Sequence, residues 1–451
     1  MRYSKTLVLI MLAVLVFGLS SAGTVKAAPE SSTKTNTAKA LPAVVKIGLL
    51  APISGDLESI GQGIVDGVKA AAMEINNSAQ FPFGVQLLVE DSKVNAVDAV
   101  AGYELLKGQG VQLVIGAAAS AASKPVAEKA SVDHIVQISY ASTAAVLSNA
   151  SLNYFWRVVP SDLLQAKAMV SLLDHENMTK IVVVNRGDDW GKGIAGGVKT
   201  AFSGSVVDTV EYPDATKDFS SVVTAVKAAS GAQAIALAAF TEDGRALVTE
   251  LRSAGVSLPI FGADGTGDGA LVNETFSSTI KEDLQGFIGT RPDLSGGGSG
   301  YTNYENALTA CKSAGECFDD KPERIYGVTA YDATWVGLLA VNMSTSYDGA
   351  LINANMPTAG KSFIGGTGNR TFDSLGDPVT GNYEVYQFIS GDLKVVGTWT
   401  PDGGLSLTSD KIAVAWPGRS GGVPGFEAVP VFLAILGFGT LTIIIKKKKL
   451  K

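Results

Sequence analysis

Three stretches of this 451-residue chain carry residue types whose spacing could do chemistry. Gly191-Lys-Gly193-Ile-Ala-Gly196 has the G-x-G-x-x-G spacing of a dinucleotide loop, and Asp208 stands downstream where a ribose-binding acid would be. Six residues, Asn185–Trp190, separate the apolar run ending at Val184 from the first glycine. A dinucleotide loop must follow its strand at once, so that the helix N-terminus meets the pyrophosphate. A glycine-eased loop with close helix packing fits that spacing better. Asp264-Gly-Thr266-Gly-Asp268-Gly269 opens like a calcium loop, but its twelfth position is Thr275, which cannot supply the bidentate carboxylate. A tight turn with a helix cap is the simpler expectation. Cys311 and Cys317, with five residues between them, fit a local disulfide closing a small loop, because a metal site would need more ligands. Free thiols are the alternative.

The remaining reactive residues are sparse. His134 and His175 are isolated, and no G-x-S-x-G, P-loop or H-E-x-x-H occurs. No nucleophile–base pair, metal or cofactor is expected, and neither is an enzyme.

Charge narrows the partners. Of the 36 basic residues, eight lie at the two extreme ends (Arg2, Lys5 and Lys26; Lys446 to Lys449 and Lys451), while all 43 acidic residues lie between them. The 28 basic groups that remain leave residues 27–445 near −15, against −7 for the whole chain. A body this acidic repels nucleic acid. The ends read as membrane-related. Residues 1–27 have the basic start, the apolar run Thr6–Leu19 and the small-residue exit of a secretory signal, with an uncleaved anchor as the alternative. Residues 28–42 and 416–428 are Ser/Thr/Ala/Pro-rich and Gly/Pro-rich linkers. Residues 429–451 hold the apolar run Val429–Ile445 and then KKKKLK, a membrane anchor whose basic end would face the cytoplasm. Together with Val423-Pro-Gly-Phe-Glu427, that tail resembles the archaeal PGF-type C-terminal sorting signal, in which the apolar part is replaced by a lipid. Six sequons, at Asn76, Asn149, Asn177, Asn273, Asn342 and Asn369, suit an exported surface protein.

Between the ends, the elements that must position any site alternate regularly. Strands at Val45–Leu50, Val85–Glu90, Gln112–Ile115 and Ile135–Ser139 are interleaved with helices at Ile64–Asn76, Ala96–Lys107 and about Ser123–Ser131. A second set follows Pro160: helices Leu163–Glu176, Gly193–Phe202, Phe219–Ala229 and Gly244–Ala254, with strands Ile181–Val184, Val206–Tyr212, Ala234–Ala238 and Pro259–Gly262. A helix at Ala330–Val341 and a hairpin, Val385–Ile389 with Leu393–Thr398, complete the pattern. Continuous apolar strands between helices predict parallel sheets covered on both faces, in two α/β lobes with a cleft between them.

Seven segments in order now point to a family: VKIGLLAPISGDLESIGQGIVDGVKAAAMEIN, VQLLVEDSKVNAVDAV, VQLVIGAAASAASKPVAE, YFWRVVPSD, DDWGKGIA, KDFSSVVTAVKAA and LPIFGADG. From Val44 to Gly269, and more loosely to Thr398, the chain resembles the leucine/isoleucine/valine-binding (branched-chain amino acid) family of type I periplasmic binding proteins, the substrate receptors of ABC importers. The resemblance implies an α/β fold of two Rossmann-like lobes joined by three crossovers and closing on a small ligand. It divides the body into lobe 1 (43–160), lobe 2 (161–285), a return to lobe 1 (286–372) and a return to lobe 2 (373–415).

The family's ligand-binding positions fall on particular residues here. Ser120 and the amides of the following helix start would take the ligand carboxylate. In Ile138–Thr143, Thr143 would contact carboxylate and ammonium, and Ser142 would offer its backbone carbonyl. Asp264 would pair with the α-ammonium, and Trp190 would form an aromatic wall of the second lobe. Each also has a plain structural role open to it: Ser120 and Thr143 as helix caps, Asp264 as a turn residue, Trp190 as core packing. Two positions depart from the family. A tyrosine common in amino-acid binders is Phe240, which loses a hydroxyl, and an aromatic at the lip of the first lobe is Ile60. Ile60, Phe240 and Trp190 suit an apolar ligand side chain.

The expectation is therefore a monomeric extracytoplasmic receptor, tethered at its C-terminal end, that passes an apolar α-amino acid to an ABC permease and its ATPase. A short amide, urea or carboxylate ligand on the same fold, or a surface sensor without a transport role, are the alternatives.

Overall fold

Nearly every residue of the inner strands is apolar and inaccessible, and this sets the architecture. The computed structural model describes residues 40–272, 279–294, 298–318 and 325–411. The expected signal, most of the first linker, the second linker, the C-terminal anchor and the Asn273 sequon lie outside them. Among the described residues no helix is long and apolar enough to cross a membrane.

The first lobe starts with β1 (Val44–Ala51), α1 (Glu58–Asn77), β2 (Gly84–Asp91), α2 (Ala96–Gly108), β3 (Leu113–Ile115), α3 (Ser120–Asp133), β4 (Val136–Ser139) and β5 (Phe155–Arg157). Its five strands lie in the order β2-β1-β3-β4-β5, all parallel. The second lobe holds α4 (Asp162–His175), β6 (Lys180–Arg186), α5 (Asp189–Ala201), β7 (Ser205–Tyr212), α6 (Ser220–Ala228), β8 (Ala234–Ala238), α7 (Thr241–Ser253), β9 (Ile260–Gly262), α8 (Thr279–Asp283) and β10 (Ile288–Pro292). The chain then returns to the first lobe with α9 (Ser299–Ser313), α10 (Gly327–Ser344), α11 (Gly349–Ser362) and the small pair β11 (Ile364–Gly365) and β12 (Gly368–Asn369). It ends in the second lobe with β13 (Tyr383–Ile389), β14 (Asp392–Thr400) and β15 (Gly404–Leu407), giving the order β15-β14-β13-β10-β9-β8-β6-β7. β6 to β10 pair in parallel with one another, whereas β13 to β15 extend the sheet antiparallel from β10.

Two expectations shift. β10 pairs with β9 and β13, so the chain leaves the second lobe after Pro292 and not at 286. α1 starts at Glu58 and not at Ile64, because Gly61, Gly63 and Gly67 interrupt its apolar face while remaining buried. Gly67 has a specific reason: a Cβ there would stand 2.1 Å from the Gly327 carbonyl oxygen, so glycine lets α1 lie against α10. α10 is the core helix of the first lobe, with fifteen of its 18 residues buried.

Three crossings link the lobes, and two are fastened together. Arg157, fully buried at the end of β5, gives Nε to Asp377 Oδ1 at 2.6 Å and Nη2 to Oδ2 at 3.0 Å. Its Nη1 donates to the carbonyls of Ser142 and Ala144, both at 3.1 Å. A buried guanidinium is tolerable only when its charge is paired and its donors are filled, and here they are. The bond ties the first crossing to the third. Cys311 and Cys317 are joined by a disulfide at the end of α9, beside α1.

Candidate functional site

The strands of each sheet end at the interlobe cleft, and the βα loops supply its walls. The first lobe contributes Leu57 and Ile60 from the start of α1, Ala118, Ala119 and Ser120 from the start of α3, Ala141 after β4, and Tyr326 before α10. The second contributes Trp190 on α5, Phe240 before α7, and Asp264 with Gly265 after β9. Of the residues singled out from the sequence, Ile60, Ser120, Trp190, Phe240 and Asp264 therefore share one cavity.

Its polar end is built from two groups. α3 starts without a side-chain cap, and the N–H groups of Ala122 and Ser123 turn back to the Ala119 carbonyl. The N–H groups of Ser120 and Ala121 have no acceptor in the first turn of a helix, so this terminus carries positive potential into the cavity. The small side chains of Ala118 and Ala119 keep it open to close approach. Ser120 Oγ accepts from the Ala144 N–H at 3.1 Å, so its own proton remains to be given.

Opposite lies Asp264, 4% exposed, in a short 3-10 turn. Tyr326 donates its hydroxyl to Asp264 Oδ2 across the cleft, and Oδ1 has no hydrogen-bond partner. Burial raises the Asp264 pKa, and the Tyr326 hydroxyl and the Gln165 side chain offset that only in part. The turn can reach the aromatic wall because residue 265 is glycine. A Cβ there would stand 2.5 Å from the Ala239 oxygen and 2.9 Å from both the Trp190 and Phe240 rings. Asp268, the other acid of that stretch, caps the following turn by accepting from Ala270 N–H at 2.7 Å.

The apolar end is a stack. Trp190 and Phe240 lie with centroids 4.9 Å apart and planes at 28°, and the Arg186 guanidinium covers Phe240 at 3.8 Å. Arg186 is held by Asp188 at 2.7 Å and Asp243 at 3.0 Å. The G-x-G-x-x-G glycines lie within α5. A Cβ on Gly191 would stand 2.2 Å from the Arg186 carbonyl oxygen, so its role is packing the helix start onto β6.

Two of the expected residues stand behind the wall. Ser142 is fully buried, and its hydroxyl donates among the Ala117 and Ala118 carbonyls and the Ser123 hydroxyl. The carbonyl expected to face a ligand accepts from Arg157 instead, because that buried guanidinium needs the acceptor. Thr143 is buried as well, with its hydroxyl toward Asp162. Three contributors were not foreseen. Leu57 precedes the apolar periodicity of α1. Tyr326 reaches the cleft through a left-handed backbone, φ 72°, just ahead of Gly327, and returns to the site a hydroxyl of the kind lost at Phe240. The third is Asp162, whose Ser-Asp helix-start signal reads only as a cap.

Two α/β lobes, three crossings and a small cavity with a polar end and an aromatic wall define a type I periplasmic binding protein, a substrate-binding receptor. The chain belongs to the periplasmic binding protein family, which it matches over residues 44–392. It is 24% identical over 370 residues to Leu/Ile/Val-binding protein homolog 3 of Brucella melitensis, covering 80% of this chain and 95% of the relative. Among solved structures it is similar to the branched-chain amino acid transporter substrate binding protein LivJ of Streptococcus pneumoniae in complex with isoleucine. The TM-score is 0.69 at 21% identity, covering 79% of this chain and 100% of that one. An ABC transporter solute binding protein of R. palustris in complex with benzoate gives 0.67 at 16% identity, covering 82% and 99%. At these identities the structures speak to the fold. Family membership implies an extracytoplasmic location for the folded body.

Proposed function

We propose that this protein is the substrate receptor of an ABC importer and that it closes its lobes on a small apolar α-amino acid. The observation that carries the reading is Asp264 Oδ1, a buried and unpartnered carboxylate oxygen in a cavity that also holds Ser120 and the uncapped start of α3. A carboxylate at the helix start and an ammonium at Asp264 would satisfy both poles of a zwitterion, one on each lobe. Such bridging is the differential contact that a closed state needs. Trp190, Phe240, Ile60 and Leu57 leave an apolar path for the side chain. The Leu/Ile/Val-binding relatives support that ligand class. The five lysines and the apolar run at the C-terminal end support a tether, and the permease and ATPase follow from the importer reading.

Calorimetric titration of the full chain with the twenty amino acids is the test. Heat and a thermal shift with leucine, isoleucine or valine are expected, and no response to any amino acid would sink the reading. A second reading, a carboxylate or amide ligand without an ammonium, draws on the raised pKa of Asp264, which as a neutral acid would donate to such a ligand. Affinity that survives Asp264→Asn would favour it.

A further inference from the structure

Asp162, the first residue of α4, is 1% exposed, and neither carboxylate oxygen has a hydrogen-bond partner of normal geometry. Its position is fixed from several sides. Its N–H donates to the Thr143 carbonyl at 2.9 Å, and a Cβ on Gly193 of α5 would stand 3.8 Å from Oδ2. One turn along α4, Gln165 donates to the Thr290 carbonyl at 2.8 Å, and its side chain also meets Asp264. α4 packs against β9 and β10, the strands next to the turn that carries Asp264, and the charged and titratable groups facing Asp162 are Asp264, Arg157, Asp188, Tyr326 and Tyr383. Arg157, the one cation among them, is committed to Asp377 through both carboxylate oxygens.

We propose that Asp162 and Asp264 share one proton in the empty cleft and release it to solvent when an α-ammonium docks on Asp264. The inference rests on the amino-acid reading above. Two like charges buried near each other in a low-dielectric interior do not both ionise, so the pair carries one proton. Tyr326 donates to Asp264, which favours the ionised form there and leaves the proton on Asp162. Burial and the Asp264 charge both raise the Asp162 pKa, and the Thr143 hydroxyl and Arg157 offset this only in part. An arriving ammonium supplies the same single positive charge, and the proton becomes the surplus one. Asp162 then acts as a positioning residue that makes the cleft select for a cationic amine.

The test is titration of the full chain with L-leucine at pH 5.5, 6.5 and 7.5, each in two buffers of different protonation enthalpy. Release of up to one proton is expected, with affinity rising by as much as about tenfold per pH unit where release occurs. Asp162→Asn should flatten both. Leucine binding with no proton release at any pH in the wild type overturns the inference, and this arm stands even if Asp162→Asn fails to fold. If leucine does not bind, the amino-acid reading fails separately, and the pH dependence of unfolding still decides the shared proton. Asp162→Asn should gain stability over the wild type as pH rises above the ordinary carboxylate range, and a gap that does not change with pH overturns the inference.

Discussion

Asp56 of the first lobe reaches Arg186 of the second across the cleft, with Oδ2 3.5 Å from Nη2, while its Oδ1 lies 3.4 Å from Lys217 Nζ. Arg186 is 3% exposed and Asp56 about a quarter exposed, so the contact lies at the mouth of the cleft, over the guanidinium that backs Phe240. It is an attraction present only when the lobes are together. Asp56→Asn should therefore speed ligand release more than it slows capture. At the ~1 kcal/mol typical of a partly exposed pair, release should quicken about fivefold. Stopped-flow dissociation would show it, and raising the salt should reproduce part of the effect in the wild type.

Asp264→Asn keeps the shape and the Tyr326 contact but removes the negative charge. A charge-assisted bond in a closed cleft contributes about 1.5–3 kcal/mol, so the dissociation constant for a bound amino acid should rise roughly tenfold to a hundredfold. Calorimetry measures this directly, and an unchanged constant argues against an ammonium ligand.

The Arg157–Asp377 pair predicts an asymmetry in stability. Arg157→Ala leaves Asp377 buried beside an empty space and should cost about 3–5 kcal/mol. Replacing both, as Arg157→Met with Asp377→Leu, should cost less than the single change, because no charge is then stranded. Urea unfolding of the three proteins checks it.

Asp91 sets an acid limit. Its carboxylate accepts from the backbone N–H groups of Ile53, Ser54 and Lys93 and from the Ser54 hydroxyl, holding the loop that carries Asp56 and Leu57. Burial alone would raise its pKa, but these bonds outweigh it and hold the group below the usual carboxylate value. The stabilisation is therefore present above the unfolded-state pKa and is lost as pH falls through the lower folded value. Asp91→Asn should cost stability at pH 6 and progressively less below about pH 4. Melting curves across that range would show the gap closing.

The sheets were legible because their strands are short apolar runs with helical periodicity between them, as in Ile181–Val184 and Ala234–Ala238. The polar rim of α9 and the proline inside α11 hid those helices. β10, the Ile288–Pro292 stretch ending in Thr-Arg-Pro, looked like a connection because its partner β13 lies about a hundred residues away. In the site, five residues carried by local motifs came together in one cavity. Ser142 faces inward because of Arg157, and Arg157 is buried because of Asp377, 220 residues on. No local pattern encodes a contact of that span. Tyr326 and Asp162 escaped notice for a related reason: an aromatic ahead of a glycine and an acid at a helix start each have an ordinary local explanation.

The Trp190–Phe240–Arg186 stack has an optical consequence. Among the described residues, Trp190 is the one tryptophan that lines the cavity, and its ring is sandwiched between a phenyl face and the space a ligand would fill. Its emission therefore depends on whether that space holds water or a side chain. The receptor carries its own dye, and a spectrofluorimeter can follow the cleft filling and emptying without any label.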